Sequence, residues 1–333
     1  MSAVLSLPPR ARPVLRPAAL RIGTRGSALA LRQARMVIAG LGMTIQSLGP
    51  FLGPSLTLRE HVVSTSGDRV QDRYLADIGG KGLFAKELHE ALLHGYVDVA
   101  VHSLKDLEAE LPRNLTIACM LPREEPRDAL VIAPSIPVME SALPFPMLPL
   151  GARIGTASAR RQAQLLHARP DLRVALIRGN IGTRLARLDS GDFAATLLAL
   201  AGLKRLGLAA RADVVLEPEA MLPAAGQGII AVIARTSDHR TLALLAALDD
   251  PEARTVATAE RAVLRALDGS CRTPIGAYAR LLGGELLLTA MVARADGSFL
   301  LGRSLLGRAA DAARLGAELG ASLRADSPSD IFA

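Results

Sequence analysis

Strand-like and helix-like segments alternate along the chain from about residue 20. The apolar run ALRIG precedes the helix-like SALALRQARMVIAGL, HVVST precedes LFAKELHEALLHG, and VDVAV, LTIAC and ALVIA follow as short apolar runs. This alternation is typical of parallel or mixed β-sheets covered by helices. The sequence therefore predicts an α/β fold.

The pattern divides the chain into three parts. A second α/β unit runs from about 152 to 222, and the strand IIAVIAR follows the Gly-rich turn LPAAGQG. Near the end come a long helix, TVATAERAVLRALDG, then strand-like runs and an Ala-rich helix near 308–324, which together predict a small α+β domain. Prolines accumulate between residues 134 and 149, and this stretch predicts a linker.

Composition restricts the class of ligand. The chain has 333 residues, enough for two or three domains, and no uninterrupted apolar run reaches the ~18 residues of a membrane helix. Aromatic residues make up 3% and Trp is absent, which argues against a stacking platform for bases. Net charge is +7, and Arg10, Arg12 and Arg16 supply three of these charges. The modest remainder favours a small polyanionic ligand over nucleic acid.

Residues 1–19 are rich in Pro and Arg and have no sustained apolar core. They make a poor secretory signal, and we expect a disordered extension. The Arg-rich, acid-poor composition also resembles an organelle transit peptide, although its prolines disfavour the amphipathic helix that such peptides form.

Residues 153–187 contain eight arginines and a single acid, Asp171. Most of these arginines fall where a strand-like run gives way to a helix-like run. A helix N-terminus offers unpaired N–H groups and the positive end of a dipole, and arginine binds carboxylates with two parallel hydrogen bonds. The segment predicts an anion site, although several of its arginines are expected to be solvated surface residues. The eight are Arg153, Arg160, Arg161, Arg169, Arg173, Arg178, Arg184 and Arg187.

Two further segments follow the same logic. GTRGSALA places Arg25 and Ser27 in a turn between a strand and a helix, where they either bind an anion or simply cap the helix. VDVAVHSLKDLE places Lys105 and Asp106 directly after an apolar strand, at the position where open α/β sheets bind ligands. The long polar loop GDRVQDRYLADIGGKGLF, which begins at Gly67, is predicted to be a mobile cover over a cleft.

The two cysteines lie in contrasting surroundings. Cys119 lies in the apolar run LTIACML and is predicted to be an inert core thiol. Cys271 lies in the polar turn DGSCRTPIG beside Arg272, so we expect an accessible thiol with thiolate character.

Several long stretches, in this order, resemble the porphobilinogen deaminase family, also called hydroxymethylbilane synthase. They are GGKGLFAKELHEALL, DVAVHSLKD, REEPRDAL, GTASARRQAQLL, RGNIGTRLARLD, AGLKRLGL, LPAAGQG and AERAVLRALDGSCRTPIGAY. The resemblance implies two periplasmic-binding-protein-like (type II) α/β domains with mixed sheets and a small α+β C-terminal domain. On that pattern, domain 1 comprises 20–124 and 226–247, domain 2 comprises 127–223, and domain 3 comprises 250–333.

The resemblance also implies an activity and a cofactor. The family joins four porphobilinogen units head to tail into the linear tetrapyrrole hydroxymethylbilane, with release of ammonia, on a dipyrromethane cofactor held by a cysteine thioether. Cys271 matches that cysteine, and Asp106 matches the catalytic aspartate, beside the pyrrole nitrogens. Positions that bind cofactor carboxylates are matched by Lys105, Ser158, Arg160, Arg161 and Arg184, and positions that bind substrate and growing-chain carboxylates by Arg25, Ser27, Arg178 and Arg205.

We therefore expect a cytoplasmic, monomeric transferase of haem biosynthesis, with porphobilinogen as its small-molecule substrate and without a metal, nucleic-acid or membrane partner. The alternative is a non-catalytic anion-binding protein built on the same two-domain clamp. Such a binding protein would not need Cys271.

Overall fold

The computed structural model describes residues 19–52, 56–66, 85–136, 145, 147–268 and 273–332. The first part of the chain forms β1 (Ala19–Thr24), α1 (Ala28–Leu52), β2 (Thr57–Val62), α2 (Lys86–Leu93), β3 (Val99–Ser103) and β4 (Leu115–Met120). The middle part forms β5 (Asp128–Ile132), β6 (Arg153–Gly155), α3 (Ala159–Ala168), β7 (Arg173–Ala175), α4 (Ile181–Asp189), β8 (Ala195–Ala199), α5 (Leu200–Arg205) and β9 (Val214–Leu216). The last part forms β10 (Ile230–Arg235), α6 (His239–Ala246), α7 (Pro251–Ala266), β11 (Ile275–Leu282), β12 (Glu285–Ala293), β13 (Leu300–Arg308) and α8 (Ala312–Ala325).

Two five-stranded sheets have the same strand plan. The first sheet has the order β2-β1-β3-β10-β4, and the second has the order β7-β6-β8-β5-β9. In each sheet the first three strands in order pair in parallel, and the fourth, β10 or β5, runs antiparallel to both of its neighbours, so four of the five strands point the same way. All but the last residue of β10 are buried, which explains its continuous apolar run IAVIA.

The chain passes twice between the two sheets. Residues 121–127 lead from β4 to β5, and residues 217–229 lead from β9 to β10. Both antiparallel strands are therefore the first strands after a crossing. The second crossing is tight: at Gly228, where φ is +92°, an added Cβ would lie 2.1 Å from the backbone oxygen of Glu124. Only glycine tolerates that approach at a positive φ.

The third sheet is antiparallel, in the order β11-β12-β13, and it packs against α7 and α8. Asp250 caps α7 by accepting a hydrogen bond of 2.7 Å from the amide of Ala253, and Pro251 begins the helix. The two helices approach closely at Gly316, where an added Cβ would lie 2.2 Å from the backbone oxygen of Ala259. This close helix pair forms the core of the predicted α+β domain.

One helix in the described part of the chain, Ala28–Ser47 within α1, is long and apolar enough to cross a membrane by length and composition. It contains Arg32 and Arg35, and its Ala34 and Val37 are fully buried in the core of the first sheet. Because that face packs on β-strands, α1 is a core helix of the first domain.

The expected class is confirmed: two periplasmic-binding-protein-like α/β domains with mixed sheets precede a small α+β domain. Two local predictions were wrong. The strand predicted at HVVST lies earlier, at Thr57–Val62, where it pairs with β1 as a largely exposed edge strand. The stretch predicted as a linker contributes Phe145 and Leu148 to the core of the second sheet, so these residues belong to a domain.

Candidate active site

A large cleft lies between the two α/β domains and reaches the third domain. Its volume is about 1240 Å³, which exceeds the ~300–1,000 Å³ typical of drug-sized ligands. All ten described residues that were predicted as site residues line it. They are Arg25, Ser27, Lys105, Asp106, Ser158, Arg160, Arg161, Arg178, Arg184 and Arg205.

Two predicted features lie outside the described residues. Cys271 falls in the segment 269–272, and the predicted cover loop falls in 67–84. The residues on either side of the cysteine segment, Asp268 and Thr273, both line the cleft.

Strand ends explain why these residues meet. Arg25 follows β1, Lys105 and Asp106 follow β3, Ser158 follows β6 and Arg178 follows β7. All four strands belong to the parallel parts of their sheets, whose carboxyl ends are the usual ligand edge of open α/β folds.

Three helices begin at the cleft with side-chain caps. The hydroxyl of Ser27 accepts a hydrogen bond of 3.3 Å from the amide of Ala30, and that of Ser158 accepts one of 3.4 Å from the amide of Arg161. Asn180 caps α4 in the same way. Ser27 therefore lines the cleft and also has the capping role that was its alternative interpretation. The three N-termini add a positive electrostatic contribution to the cleft.

Lys105 and Asp106 lie on a short 3₁₀ turn, Leu104–Asp106, at the end of β3. The ammonium of Lys105 donates to Oε1 of Gln227 at 3.2 Å. Burial and the nearby guanidinium of Arg161 lower the pKa of Lys105 to about 8. Asp106, which is half-buried, forms no hydrogen bond or ion pair within the described ranges.

A fully buried carboxylate, Asp128, organises the first turn of α3. It accepts hydrogen bonds from Arg160 Nη2 at 2.7 Å, from Arg161 Nη2 at 2.8 Å and from Gln227 Nε2 at 2.9 Å. Burial alone would raise the pKa of Asp128, but the charges of the two arginines outweigh burial and hold the pKa well below its usual value. Asp128 thus fixes the orientation of both arginines at the cleft.

Arg184 and Arg205 are not neutralised in this way. Arg184 donates its Nε to the carbonyl of Gly179 at 2.9 Å, and no salt bridge joins it to an acid of the described chain. Burial and the charges of Arg161 and Arg178 lower the pKa of Arg184 to about 10, so it stays charged at neutral pH. Arg205 donates one Nη2 hydrogen to Gly228, and its buried Nε has no partner among the residues described.

The cleft therefore carries an excess of positive charge. Among the described residues, eight Arg or Lys and four Asp or Glu line it. Buried cations without an opposing anion are costly, and a ligand with several carboxylates would supply the missing charges. The geometry supports the predicted small-polyanion site.

Four arginines of the Arg-rich segment do not line the cleft. Arg169 is buried and pairs with Asp171 at 2.7 Å, and Arg187 forms an exposed pair with Asp192 at 3.0 Å. Arg153 and Arg173 are exposed. The expectation that several of the eight arginines lie at the surface is confirmed for Arg153, Arg173 and Arg187. Arg169 is instead a buried structural residue.

Cys119 is fully buried on β4, as predicted, and burial raises the pKa of its thiol to about 12. Sequence reasoning missed Asp128 and Gln227. Asp128 lies in REEPRDAL, at the start of an apolar strand, and Gln227 lies in the glycine-rich turn LPAAGQG. Both stretches resemble the family, but neither pattern indicates a buried hydrogen-bond network.

Sequence comparison decides the family. The porphobilinogen deaminase dipyrromethane cofactor binding domain matches residues 20–243, and the C-terminal domain of the same family matches residues 254–325. The chain belongs to the porphobilinogen deaminase family. Porphobilinogen deaminase of Sorangium cellulosum is 49% identical, over 92% of this chain and 99% of its own length. That of Paracoccus denitrificans is 46% identical, over 94% and 96%.

Solved structures resemble the chain only distantly. A periplasmic binding protein of Salmonella typhimurium is 12% identical and covers 71% of this chain and 96% of its own, with a TM-score of 0.38. YhfZ of Shigella flexneri is 17% identical and covers 77% and 99%, with a TM-score of 0.35.

As a member of this family, the chain is a porphobilinogen deaminase-type enzyme of tetrapyrrole biosynthesis with a dipyrromethane-binding domain. Family membership favours this activity over the alternative of a non-catalytic anion-binding protein. The residues present fit this cofactor. Each of its rings carries two carboxylates, and the cleft offers Lys105 and Arg184, which have no salt-bridge partner among the described residues, and the unpartnered Nε atoms of Arg160 and Arg205.

Proposed function

We propose that the protein joins four porphobilinogen units head to tail into hydroxymethylbilane, with release of one ammonia per unit, on a dipyrromethane primer bound covalently to Cys271. One observation carries the proposal: the carboxylate of Asp106, which has no hydrogen-bond or salt-bridge partner among the described residues, lies in the cleft within electrostatic range of Lys105 and Arg184.

Cys271 is the proposed attachment point. Its sulfur would hold the primer through a thioether that is not turned over, so the cysteine would act as an anchor. The primer supplies the free pyrrole position to which each new unit is joined. Support comes from Asp268 and Thr273, which line the cleft on both sides of the cysteine segment.

Basic residues bind the carboxylates that accumulate as the chain grows. We assign Lys105, Ser158, Arg160, Arg161 and Arg184 to the primer, and Arg25, Ser27, Arg178 and Arg205 to the substrate and the elongating chain. Arg160 and Arg161 each already donate to Asp128, so they offer only their remaining N–H groups. Their contribution is a fixed geometry as well as charge.

Asp106 is the proposed catalytic residue. When the aminomethyl group of porphobilinogen leaves as ammonia, positive charge develops on the remaining methylene-pyrrole unit, and a carboxylate at that place stabilises it. The carbon–carbon bond then forms, and the proton lost from the attacked ring carbon needs an acceptor, which the same carboxylate provides. Because the carboxylate of Asp106 has no hydrogen-bond or salt-bridge partner in the described chain, both oxygens are available for these tasks.

The proposal includes a cytoplasmic monomer without nucleic-acid or membrane partners. Light scattering at several protein concentrations tests the monomer, and a salt titration with an oligonucleotide tests the nucleic-acid statement.

Two substitutions separate chemistry from binding. Asp106→Asn keeps the shape but removes the charge, so single-turnover rates should fall by roughly 100- to 1,000-fold with little change in binding. Arg178→Leu removes a carboxylate partner, so it should raise the Michaelis constant or stall elongation with intermediates still attached. Intact mass spectrometry after stoichiometric porphobilinogen distinguishes the two. Near-normal turnover of Asp106→Asn, or identical failure of both variants, would contradict the assigned roles.

A further inference from the structure

The third-domain side of the cleft includes a patch of apolar side chains. Leu264 of α7, Ile275 of β11, and Ile331 and Phe332 near the C-terminus line this side. These four residues offer apolar and aromatic surface in the same cleft as the arginines of the second domain, next to the charged Arg265 and Asp268.

A short C-terminal turn, Ser329–Phe332, supplies half of these residues. Its position is fixed by contacts with the third domain. Arg294 Nη2 donates to both carboxylate oxygens of Asp330 at 2.9 Å, and the guanidinium carbon of Arg324 lies 5.1 Å from the centre of the Phe332 ring. The side chains of Ile331 and Phe332 are half-buried against the core of the third domain.

The turn lies beyond residue 325, where the match to the family's C-terminal domain ends. The assigned carboxylate-binding roles therefore do not reach it. The turn is held beside the cleft by an ion pair and a ring contact, so Ile331 and Phe332 lie where a ligand in the cleft can reach them.

We propose that Ile331 and Phe332 form a contact surface for the faces of pyrrole rings in the cleft. This inference rests on the proposed function. A pyrrole unit has an apolar π-face and carries its carboxylates at the ring edge. Rings whose carboxylates reach the arginines of the second domain can present their faces to Ile331 and Phe332, where the aromatic ring adds an offset or edge-to-face contact. The C-terminal turn thereby orders the elongating chain without touching its charges.

Fluorescence provides the first test, because the chain contains no Trp. In Phe332→Trp, the emission of the single Trp should change stepwise as stoichiometric porphobilinogen is added. Leu306→Trp is the matched control, since Leu306 is exposed on β13 and does not line the cleft. An unchanged signal at position 332, or equal changes at both positions, while intact mass shows added pyrrole units, would overturn the inference.

Kinetics provide the second test. Phe332→Ala and Ile331→Ala should each still carry the covalent primer, because no assigned primer contact is removed. Later ring additions should slow by roughly 3- to 10-fold relative to the first, which is the range that one aromatic or aliphatic contact supports. Equal slowing of all additions, or none, would refute the pyrrole contact. Failure of the wild-type protein to add any pyrrole mass would instead refute the proposed function, so the two failures are distinguishable.

Discussion

Removing the charge of Asp128 tests how the basic wall is held in place. In Asp128→Asn, the guanidinium groups of Arg160 and Arg161 remain buried but lose the anion that both of them bind. Breaking a buried charge network by removing one partner costs about 3–5 kcal/mol. With a denaturant slope of about 2–3 kcal/mol per molar urea, the midpoint of unfolding should fall by roughly 1–2.5 M.

The pH dependence of this loss follows from the pKa. Burial opposes ionisation of Asp128, but Arg160 and Arg161 hold its folded-state pKa well below the usual value of about 3.9. A carboxylate with a depressed pKa contributes stability above its unfolded-state pKa and loses that contribution as pH falls through the folded-state pKa. The difference between wild type and Asp128→Asn should therefore stay constant from about pH 5 to 8 and shrink below about pH 4.

Urea unfolding followed by circular dichroism measures both effects. Asp192→Asn is the matched control, because Asp192 lies in the same domain but pairs with Arg187 at the surface. That exposed pair is expected to contribute less than about 1 kcal/mol. If the two variants unfold at similar urea concentrations, or if the Asp128→Asn difference grows toward low pH, the account of the buried network is wrong.

Three further predictions concern other parts of the molecule. Because the pKa of Lys105 is about 8 in the protein alone, its amine should become reactive toward amine-modifying reagents as pH rises through 8. Bound primer should protect it, and peptide mapping with Lys105→Arg as the blank measures both effects. Glu260→Gln removes the buried acceptor of Arg123 Nη1, at 2.6 Å, and should cost about 3–5 kcal/mol in urea unfolding. Deletion of residues 1–17 should leave turnover and melting temperature unchanged, because this Pro/Arg segment has little apolar surface to bury.

Fold class followed from the sequence because hydrophobic periodicity is local. The strand β10 is an uninterrupted apolar run, and α7 starts at an Asp-Pro pair, so both are visible in the letters. Edge strand β2 was misplaced because its residues are largely exposed and alternate only weakly. Phe145 was read as part of a linker because the prolines around it hide the fact that its side chain packs into a core.

Most basic residues of the site were predictable in kind and position, since Arg25, Lys105 and Arg178 follow a parallel strand and Arg160, Arg161 and Arg184 lie in the first turn of a helix. Arg205, which ends α5, came only from the family resemblance. The division of the basic residues into ligand-facing and structural groups was not predictable. Arg161 and Arg169 look alike in sequence, yet Arg161 lines the cleft and Arg169 is bound to Asp171 away from it. Such a distinction depends on three-dimensional pairing. Asp128 and Gln227 show the same limit, because 99 positions separate the two partners of one hydrogen bond.

Intact mass of the purified protein tests the central claim most directly. The wild-type chain should exceed its sequence mass by two pyrrole units, and Cys271→Ala should fold with the same circular dichroism spectrum but show no increment, because the thioether needs sulfur. Wild-type protein at its bare sequence mass, active without any covalent pyrrole, would contradict the account, as would recovery of the full increment in Cys271→Ala.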